Sequence, residues 1–162
     1  MEIEKKFLIL ELPIDLEQYK CDVISQGYIC TSPVIRIRQK GSLFYLTCKS
    51  KGLMIREEFE IEISEDEFLL LSKKVDFNLI TKNRYYIPLT DVLTIELDLF
   101  KGVLNGLIIA EVEFLSLEAA YAFTPPSWFE KEVTNDERFH NSFLCQVNSY
   151  APSTFNTSSQ PK

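Results

Sequence analysis

Charged and apolar residues alternate along much of this chain, starting at its second residue. In the opening EIEKK, Glu2, Glu4 and Lys6 fall on one side of an extended strand, and Ile3 falls on the other. Such alternation is typical of a β-strand that buries one face. Together with β-branched and aromatic residues, it predicts strands at residues 2–10, 22–31, 34–40, 43–50, 54–63, 79–87, 93–100 and 107–115.

The connections between several predicted strands are short. Gly41-Ser42 joins one pair and Lys51-Gly52 joins another, which are lengths typical of antiparallel hairpins. Eight antiparallel strands can close into a barrel whose interior holds side chains or one small ligand. We therefore predict an α+β, mainly β fold: a closed eight-stranded antiparallel β-barrel that forms a tunnel, with a few flanking helices.

Three helices are expected outside the barrel. Ser64 and Glu67 form a capping box ahead of an apolar run, and Ser116 caps a second, shorter segment. A third helix is expected from about residue 136 to 147, where apolar residues fall on one stripe. We predict one domain over residues 1–150 and a disordered tail over residues 151–162, whose Ser, Thr, Asn and Pro content cannot bury enough surface.

Acidic and basic residues are sorted onto different strands. After the opening strand, acidic rows recur at Glu58, Glu60, Glu62, Glu96, Asp98, Glu111 and Glu113. Basic residues stand apart from them at Arg36, Arg38, Lys49, Lys82 and Arg84. Carboxylates in one row repel each other unless cations intervene, so a solvated surface usually mixes the two signs.

Two interpretations of these rows are possible. Any single row is explained by an amphipathic strand with its polar face in water. If all rows instead point into the barrel, the lumen is a lattice of carboxylates and basic groups, which cannot stay buried without partners. Carboxylates suit Mg²⁺ or Mn²⁺, and arginine side chains match phosphate oxygens, so the sorted rows favour a tunnel that binds metal and phosphate.

Composition excludes several classes of partner. The 162 residues include 24 acidic and 17 basic side chains, giving a net charge of −7, so we expect no nucleic-acid or membrane-surface binding. No apolar run approaches the roughly 20 residues of a membrane helix, and no signal peptide begins the chain, so we expect a cytoplasmic protein.

The commonest catalytic motifs are also missing. No GxxxxGK[ST] phosphate loop occurs, so side chains would have to bind any phosphate. The four cysteines show no CxxC spacing, which favours reduced core thiols over a zinc site. The single histidine, His140, is interpreted as a helix-surface residue, and Trp128 as a packing residue that closes one end of the barrel.

The order of the charged motifs resembles the CYTH domains, or triphosphate tunnel metalloenzymes. The N-terminal ExExK of that family corresponds to Glu2, Glu4 and Lys6. The motifs that follow in order are QGY at 26–28, IRIR at 35–38, LTCK at 46–49, REEFEIEI at 56–63, KNRY at 82–85, IELDLF at 95–100, AEVEF at 110–114 and EVTND at 132–136. The resemblance extends to about residue 148.

The resemblance implies a divalent-metal-dependent hydrolase of triphosphates, most of all of inorganic triphosphate. It assigns Mg²⁺ or Mn²⁺ to Glu2, Glu4, Asp98, Glu111 and Glu113, and it adds Glu96 to the acidic lining. It assigns phosphate binding to Lys6, Arg36, Arg38, Lys49, Lys82 and Arg84. Within that scheme, we expect Arg36 and Arg38 to act on transition-state charge and Glu58 or Glu60 to activate water.

One departure and two alternatives stay open. Glu130-Lys131 stands where short members of the family have Gly-Glu, so Lys131 either affects phosphate binding or, with Glu130, faces solvent. A class IV-like adenylate cyclase would need an adenine pocket, for which little chain is left beyond the barrel. A non-catalytic module that binds polyphosphate or nucleotides would look the same from sequence, and a homodimer is a further expectation.

Overall fold

Ten strands form the framework of the protein, in a computed structural model that describes residues 1–13 and 15–154. Their bounds are Glu2–Ile9 (β1), Lys20–Thr31 (β2), Val34–Lys40 (β3), Leu43–Lys49 (β4), Ile55–Arg56 (β5), Glu58–Ile63 (β6), Asp76–Pro88 (β7), Thr94–Phe100 (β8), Ile108–Glu113 (β9) and Phe129–Glu132 (β10). All strand pairs are antiparallel. The predicted strand positions are therefore largely confirmed.

The strands form a nearly closed antiparallel barrel. Nine of them follow one path in the order β10-β1-β9-β8-β7-β2-β3-β4-β6. β5 leaves this path and pairs with β1, while β6 pairs with β4. Only Glu57 separates β5 from β6, so residues 55–63 bring the two edges of the sheet together. This arrangement confirms the predicted tunnel fold.

Two details of the strands differ from the prediction. The strand predicted at 54–63 is split at Glu57, because the chain changes partners there from β1 to β4. β10 was not predicted, since its four residues, FEKE, are too few to show a clear alternation. Glu130 and Lys131 lie on β10 and are exposed, so both face solvent and leave the tunnel clear.

Two helices match the capping signals. In α1, Glu65–Ser72, the Glu67 backbone N–H donates to Ser64 Oγ at 3.2 Å, and the Ser64 N–H donates to Glu67 Oε2 at 2.7 Å. In α2, Leu117–Ala122, the Ala119 N–H donates to Ser116 Oγ at 3.1 Å. Phe68 of α1 packs against Phe44 on the outer face of β4, with their rings 5.1 Å apart.

The third predicted helix is wrong as a continuous element. The chain forms a 3-10 turn at Glu137–Phe139 and then a short helix, α3, at Asn141–Leu144. His140 separates the two in an extended conformation with φ of −84° and ψ of 140°. The apolar stripe is real, because Phe139 and Leu144 are both buried, but it is spread over two turns that pack around one end of the barrel.

His140 is a second correction. It is 4% exposed, and its Nε2 lies 2.8 Å from the carbonyl oxygen of Thr134. It therefore belongs to the interior, and the interpretation as a helix-surface residue is wrong. Its burial follows from the break in the helix, which turns the side chain inward.

Apolar side chains form two cores, one on the outer face of the sheet and one at an end of the barrel. One contains Phe7, Leu97 and Val112, with Trp128 partly buried against it and its ring 4.6 Å from that of Phe129. Trp128 is thus a packing residue as expected, but it packs against this core and not across an end of the barrel. The other core contains Tyr28 and Phe100, and the C-terminal segment of residues 133–150 packs into it. Phe7, Leu97 and Val112 are sequence neighbours of Lys6, Glu96 and Glu111, which point into the barrel, so the first core lies on the opposite face of these strands.

The remaining expectations have mixed outcomes. All four cysteines are free thiols, but only Cys145 is fully buried, and Cys21 is exposed. Residues 151–154 form a turn in which the Thr154 N–H donates to the Ala151 carbonyl at 2.8 Å, and the rest of the predicted tail lies outside the described residues. None of the helices in the described part of the chain is long and apolar enough to span a membrane.

Candidate active site in the barrel lumen

A cavity of about 240 Å³ occupies the middle of the barrel. All but one of the site residues predicted from the sequence line this cavity. They are Glu2, Glu4, Lys6, Arg36, Arg38, Lys49, Glu58, Glu60, Lys82, Arg84, Glu111 and Glu113, together with Glu96. Asp98 is the exception, since it is fully buried behind the cavity wall.

Strand register explains why carboxylates gather on one wall. Glu4 of β1 lies directly opposite Glu113 of β9, and Glu111 of β9 lies opposite both Lys6 of β1 and Glu96 of β8. Side chains two residues apart on a strand point to the same side, so each row enters the lumen as a unit. The opening ExExK motif is thus set beside the acidic rows of β8 and β9.

Lys6 lies within this acidic wall. Its Nζ is 3.0 Å from Glu4 Oε1 and also contacts Glu111 Oε1. Burial alone would lower the pKa of Lys6, but Glu111 and Glu4 outweigh it and raise that pKa above its usual range. Although burial opposes the effect, Lys6 likewise holds the pKa of Glu4 below its usual value. All three side chains are therefore ionised at neutral pH.

Lys49 joins two acidic residues at the rim. Its Nζ donates to both carboxylate oxygens of Glu2 at 2.8 Å, and it lies 2.9 Å from Glu58 Oε2. Burial and the nearby charge of Glu4 raise the pKa of Glu2, whereas the contact with Lys49 helps to lower the pKa of Glu58 against the effect of burial. The two carboxylates thus differ in how readily they take up a proton.

Arg36 and Arg38 lie on the wall of the cavity opposite the acidic wall. Arg38 Nη2 donates to Glu60 Oε2 at 3.0 Å, and Arg36 Nη2 donates to Thr47 Oγ1 at 3.1 Å. The Thr47 hydroxyl in turn donates to Glu60 Oε2 at 2.7 Å. The Nε atoms of both arginines are buried without a partner among the described residues. The pair therefore has free donors for an anion.

A third basic group lies deepest in the barrel. Arg84 donates two hydrogen bonds of 2.7 Å to the carboxylate of Asp98, and Lys82 also contacts this carboxylate. Arg84 further donates to Glu96 and, at 2.6 Å, to Glu111. Burial lowers the pKa of Lys82 to about 8 despite Asp98, whereas the surrounding carboxylates outweigh burial and raise the pKa of Arg84.

Comparison with known proteins places this arrangement in a family. No protein-family model matches the chain. An inorganic triphosphatase from Nitrosomonas europaea is 42% identical over 146 residues, covering 88% of this chain and 95% of that protein. An inorganic triphosphatase from Acetivibrio thermocellus is 35% identical over 151 residues, covering 88% of this chain and 92% of that protein.

The chain belongs to the family of these inorganic triphosphatases, the CYTH or triphosphate tunnel metalloenzyme family. A solved crystal structure of an inorganic triphosphatase agrees, with a TM-score of 0.69 at 37% identity over 93% of this chain and 97% of that one. An adenylyl cyclase-like protein from Hippeastrum, described as having a dominant triphosphatase activity, has a TM-score of 0.56 at 17% identity, covering 75% of this chain and 83% of that one. At that identity the likeness concerns the fold alone.

Metal binding in this member of the CYTH family depends on how its carboxylates are partnered. Among residues 1–13 and 15–154, no group of three or more His, Cys, Asp and Glu side chains is already gathered around a metal position. Glu113, however, has no cationic partner among those residues, and burial together with nearby carboxylates, Glu2 first, raises its pKa. Hard oxygen donors that repel each other in this way fit a divalent cation.

The lumen of this CYTH protein also contains residues that the sequence reasoning missed. Lys40 and Arg56 line the cavity, as do Tyr28, Tyr86 and His140. The alternation that brings Arg36 and Arg38 inside extends to Lys40, and the one that brings Glu58 inside extends back to Arg56, so both signals were present. His140 gave no such signal, because it belongs to the irregular C-terminal segment.

Proposed function

We propose that this protein hydrolyses inorganic triphosphate to pyrophosphate and phosphate with the help of Mg²⁺ or Mn²⁺. The observation that carries the proposal is the lumen, where Arg36 and Arg38 lie across a cavity of about 240 Å³ from a wall of carboxylates. Hydrolysis of a phosphoanhydride mainly needs charge neutralised around the transferred group and a water held in line. The names of the two curated relatives support inorganic triphosphate as the substrate.

The basic residues are assigned to different parts of the bound triphosphate. Arg36 and Arg38 are placed to donate to the transferred phosphoryl group, because both side chains line the cavity. Lys6 and Lys49 would bind phosphate oxygens nearer the acidic wall, where each now contacts carboxylates. Lys82 and Arg84 complete the set, and Asp98 holds both in position. This assignment replaces a direct metal contact for Asp98, which does not reach the cavity.

The metal would be held by Glu2, Glu4, Glu111 and Glu113. When bound, a divalent cation polarises phosphate oxygens and offsets the charge that builds up on them. Glu4 and Glu111 stay ionised at neutral pH, since Lys6 lowers the pKa of each against the effect of burial. Glu113 contributes a carboxylate with no competing cation, because no basic side chain in the part of the chain that the structure describes contacts it.

Glu58 and Glu60 have different proposed roles. Glu60 Oε2 already accepts hydrogen bonds from Thr47 and Arg38, so Glu60 positions the arginine pair. Glu58 contacts Lys49 and Glu2 through its carboxylate and lines the cavity. We assign to Glu58 the orientation of the attacking water and acceptance of its proton.

A substrate screen tests this function against its two rivals. Tripolyphosphate, thiamine triphosphate, ATP and pyrophosphate are each incubated with Mg²⁺ or Mn²⁺, and phosphate, pyrophosphate and cyclic AMP are measured. We expect release of phosphate from tripolyphosphate above all. Preference for pyrophosphate contradicts the proposal, formation of cyclic AMP supports a cyclase, and tight binding without turnover supports a non-catalytic module.

Two further proposals concern the setting of the enzyme. We propose that the enzyme is cytoplasmic. Its four cysteines are free thiols, as is usual in that reducing compartment. We also propose a homodimer, because Phe59 and Leu70 are each more than 60% exposed on the outside of the barrel. Light scattering of the purified protein tests the second proposal, and a monomeric mass at micromolar concentration would refute it.

A further inference from the structure

Arg56 occupies the carboxylates that the proposed function assigns to the metal. Its Nη2 donates to Glu4 Oε1 at 2.9 Å and lies 3.6 Å from Glu2 Oε2. Only 10% of the side chain is exposed. A guanidinium and a divalent cation cannot share these oxygens closely, because two positive charges a few ångströms apart repel strongly in a buried site. One of them must leave when the other binds.

Strand pairing and the preceding loop fix the position of Arg56. β5 pairs with β1 so that Arg56 lies directly opposite Glu2. The preceding loop passes through Gly52, whose φ of +139° suits glycine, and a Cβ there would lie 2.2 Å from the Ile55 carbonyl oxygen and 3.1 Å from Arg56 Cγ. The loop is therefore packed against the base of the Arg56 side chain.

A second cavity offers the guanidinium another place to go. This cavity, of about 410 Å³, lies between the β2–β3 turn, the loop before β5 and the C-terminal segment. Arg56 and His140 line both cavities and so form part of the wall between them. Glu137 also lines the second cavity and supplies an acidic partner there. The displaced side chain would thus keep a counter-ion.

We propose that Arg56 is a built-in competitor of the metal. In the metal-free protein it contacts Glu4 alongside Lys6 and Glu2 alongside Lys49, and metal binding drives its guanidinium towards the second cavity. The inference rests on the proposed function, because it takes these two carboxylates as metal ligands. It goes further than that function, because the affinity for metal then depends on Arg56, a residue to which the proposed function assigns no contact with metal or phosphate.

Calorimetric titration with Mn²⁺, without any triphosphate, tests the competitor. We expect Arg56→Gln to bind Mn²⁺ about fivefold or more tightly than the wild type, which is the lower end of typical coupling between sites. Arg56→Lys keeps the charge and should stay closer to the wild type. Lys5→Gln is the matched control, since Lys5 lies on β1, the strand that carries Glu2 and Glu4, but pairs with Glu132 outside the lumen.

Each outcome bears on a different claim. If the wild type binds Mn²⁺ and Arg56→Gln binds it equally or more weakly, the competitor is refuted while the metal site stands. If neither protein binds Mn²⁺, the metal assignment and the competitor both fail. If Lys5→Gln tightens binding as much as Arg56→Gln, the effect is one of net charge and the specific role of Arg56 is refuted. Circular dichroism of each variant verifies that the barrel is folded.

Discussion

At the scale of single residues, Glu4 lies where the proposed metal ligands meet two basic side chains. It contacts Lys6 and Arg56, and it lies opposite Glu113 across the β1–β9 pair. Replacing it by Gln keeps the shape and removes the charge. We expect Glu4→Gln to weaken Mn²⁺ binding about tenfold or more and to slow tripolyphosphate hydrolysis by roughly 10²-fold.

Calorimetry and a phosphate-release assay measure these two effects. Glu132→Gln is the control, because Glu132 carries the same charge but lies on β10 outside the cavity. Full metal-dependent activity in Glu4→Gln would show that Glu4 is not a metal ligand.

His140 gives a prediction that a single signal can test. Burial first, and then the charge of Lys6, lowers its pKa below the ordinary 6.5. Between the folded pKa and 6.5, the unfolded chain binds more protons than the folded one, so the free energy of unfolding falls as pH drops through this window. Since His140 is the only histidine, its ring resonances in an NMR titration are unambiguous. A midpoint at or above 6.5 would contradict the buried position.

At the scale of elements, the clearest sequence signals were local ones. The capping box at Ser64 is present with both of its hydrogen bonds. We expect Ser64→Ala to lower the free energy of unfolding by about 1 kcal/mol, the usual effect of losing a cap. Urea unfolding of Ser64→Ala and of Ser127→Ala, an exposed serine in the loop before β10, measures the difference. Equal stability of the two variants would show that the cap contributes nothing.

Elements without a strong period were harder to predict. The strands of the barrel follow a charged-apolar alternation, so their positions and inward faces could be read from the sequence. The break at Glu57 could not, because it reflects a change of pairing partner far along the chain. The C-terminal segment has a helical stripe in Phe139 and Leu144, yet its burial is decided by the shape of the barrel end.

At the scale of the whole molecule, sorted charge was the signal that located the site. Carboxylates and basic groups on separate strands meet only when the sheet curls, so their separation in the sequence predicts a charged lumen. The partners within the lumen could not be predicted. That Asp98 holds Lys82 and Arg84, and that Arg56 contacts Glu4, depends on side-chain distances in the closed barrel.

The central claim is that this lumen hydrolyses inorganic triphosphate. The most direct measurement compares the products that the wild type and Arg36→Ala form from tripolyphosphate with Mg²⁺ or Mn²⁺. We predict equal amounts of phosphate and pyrophosphate from the wild type, and a rate about 10²- to 10³-fold lower for Arg36→Ala in a folded barrel. No release of phosphate by the wild type with either metal, or full activity in Arg36→Ala, would contradict the account.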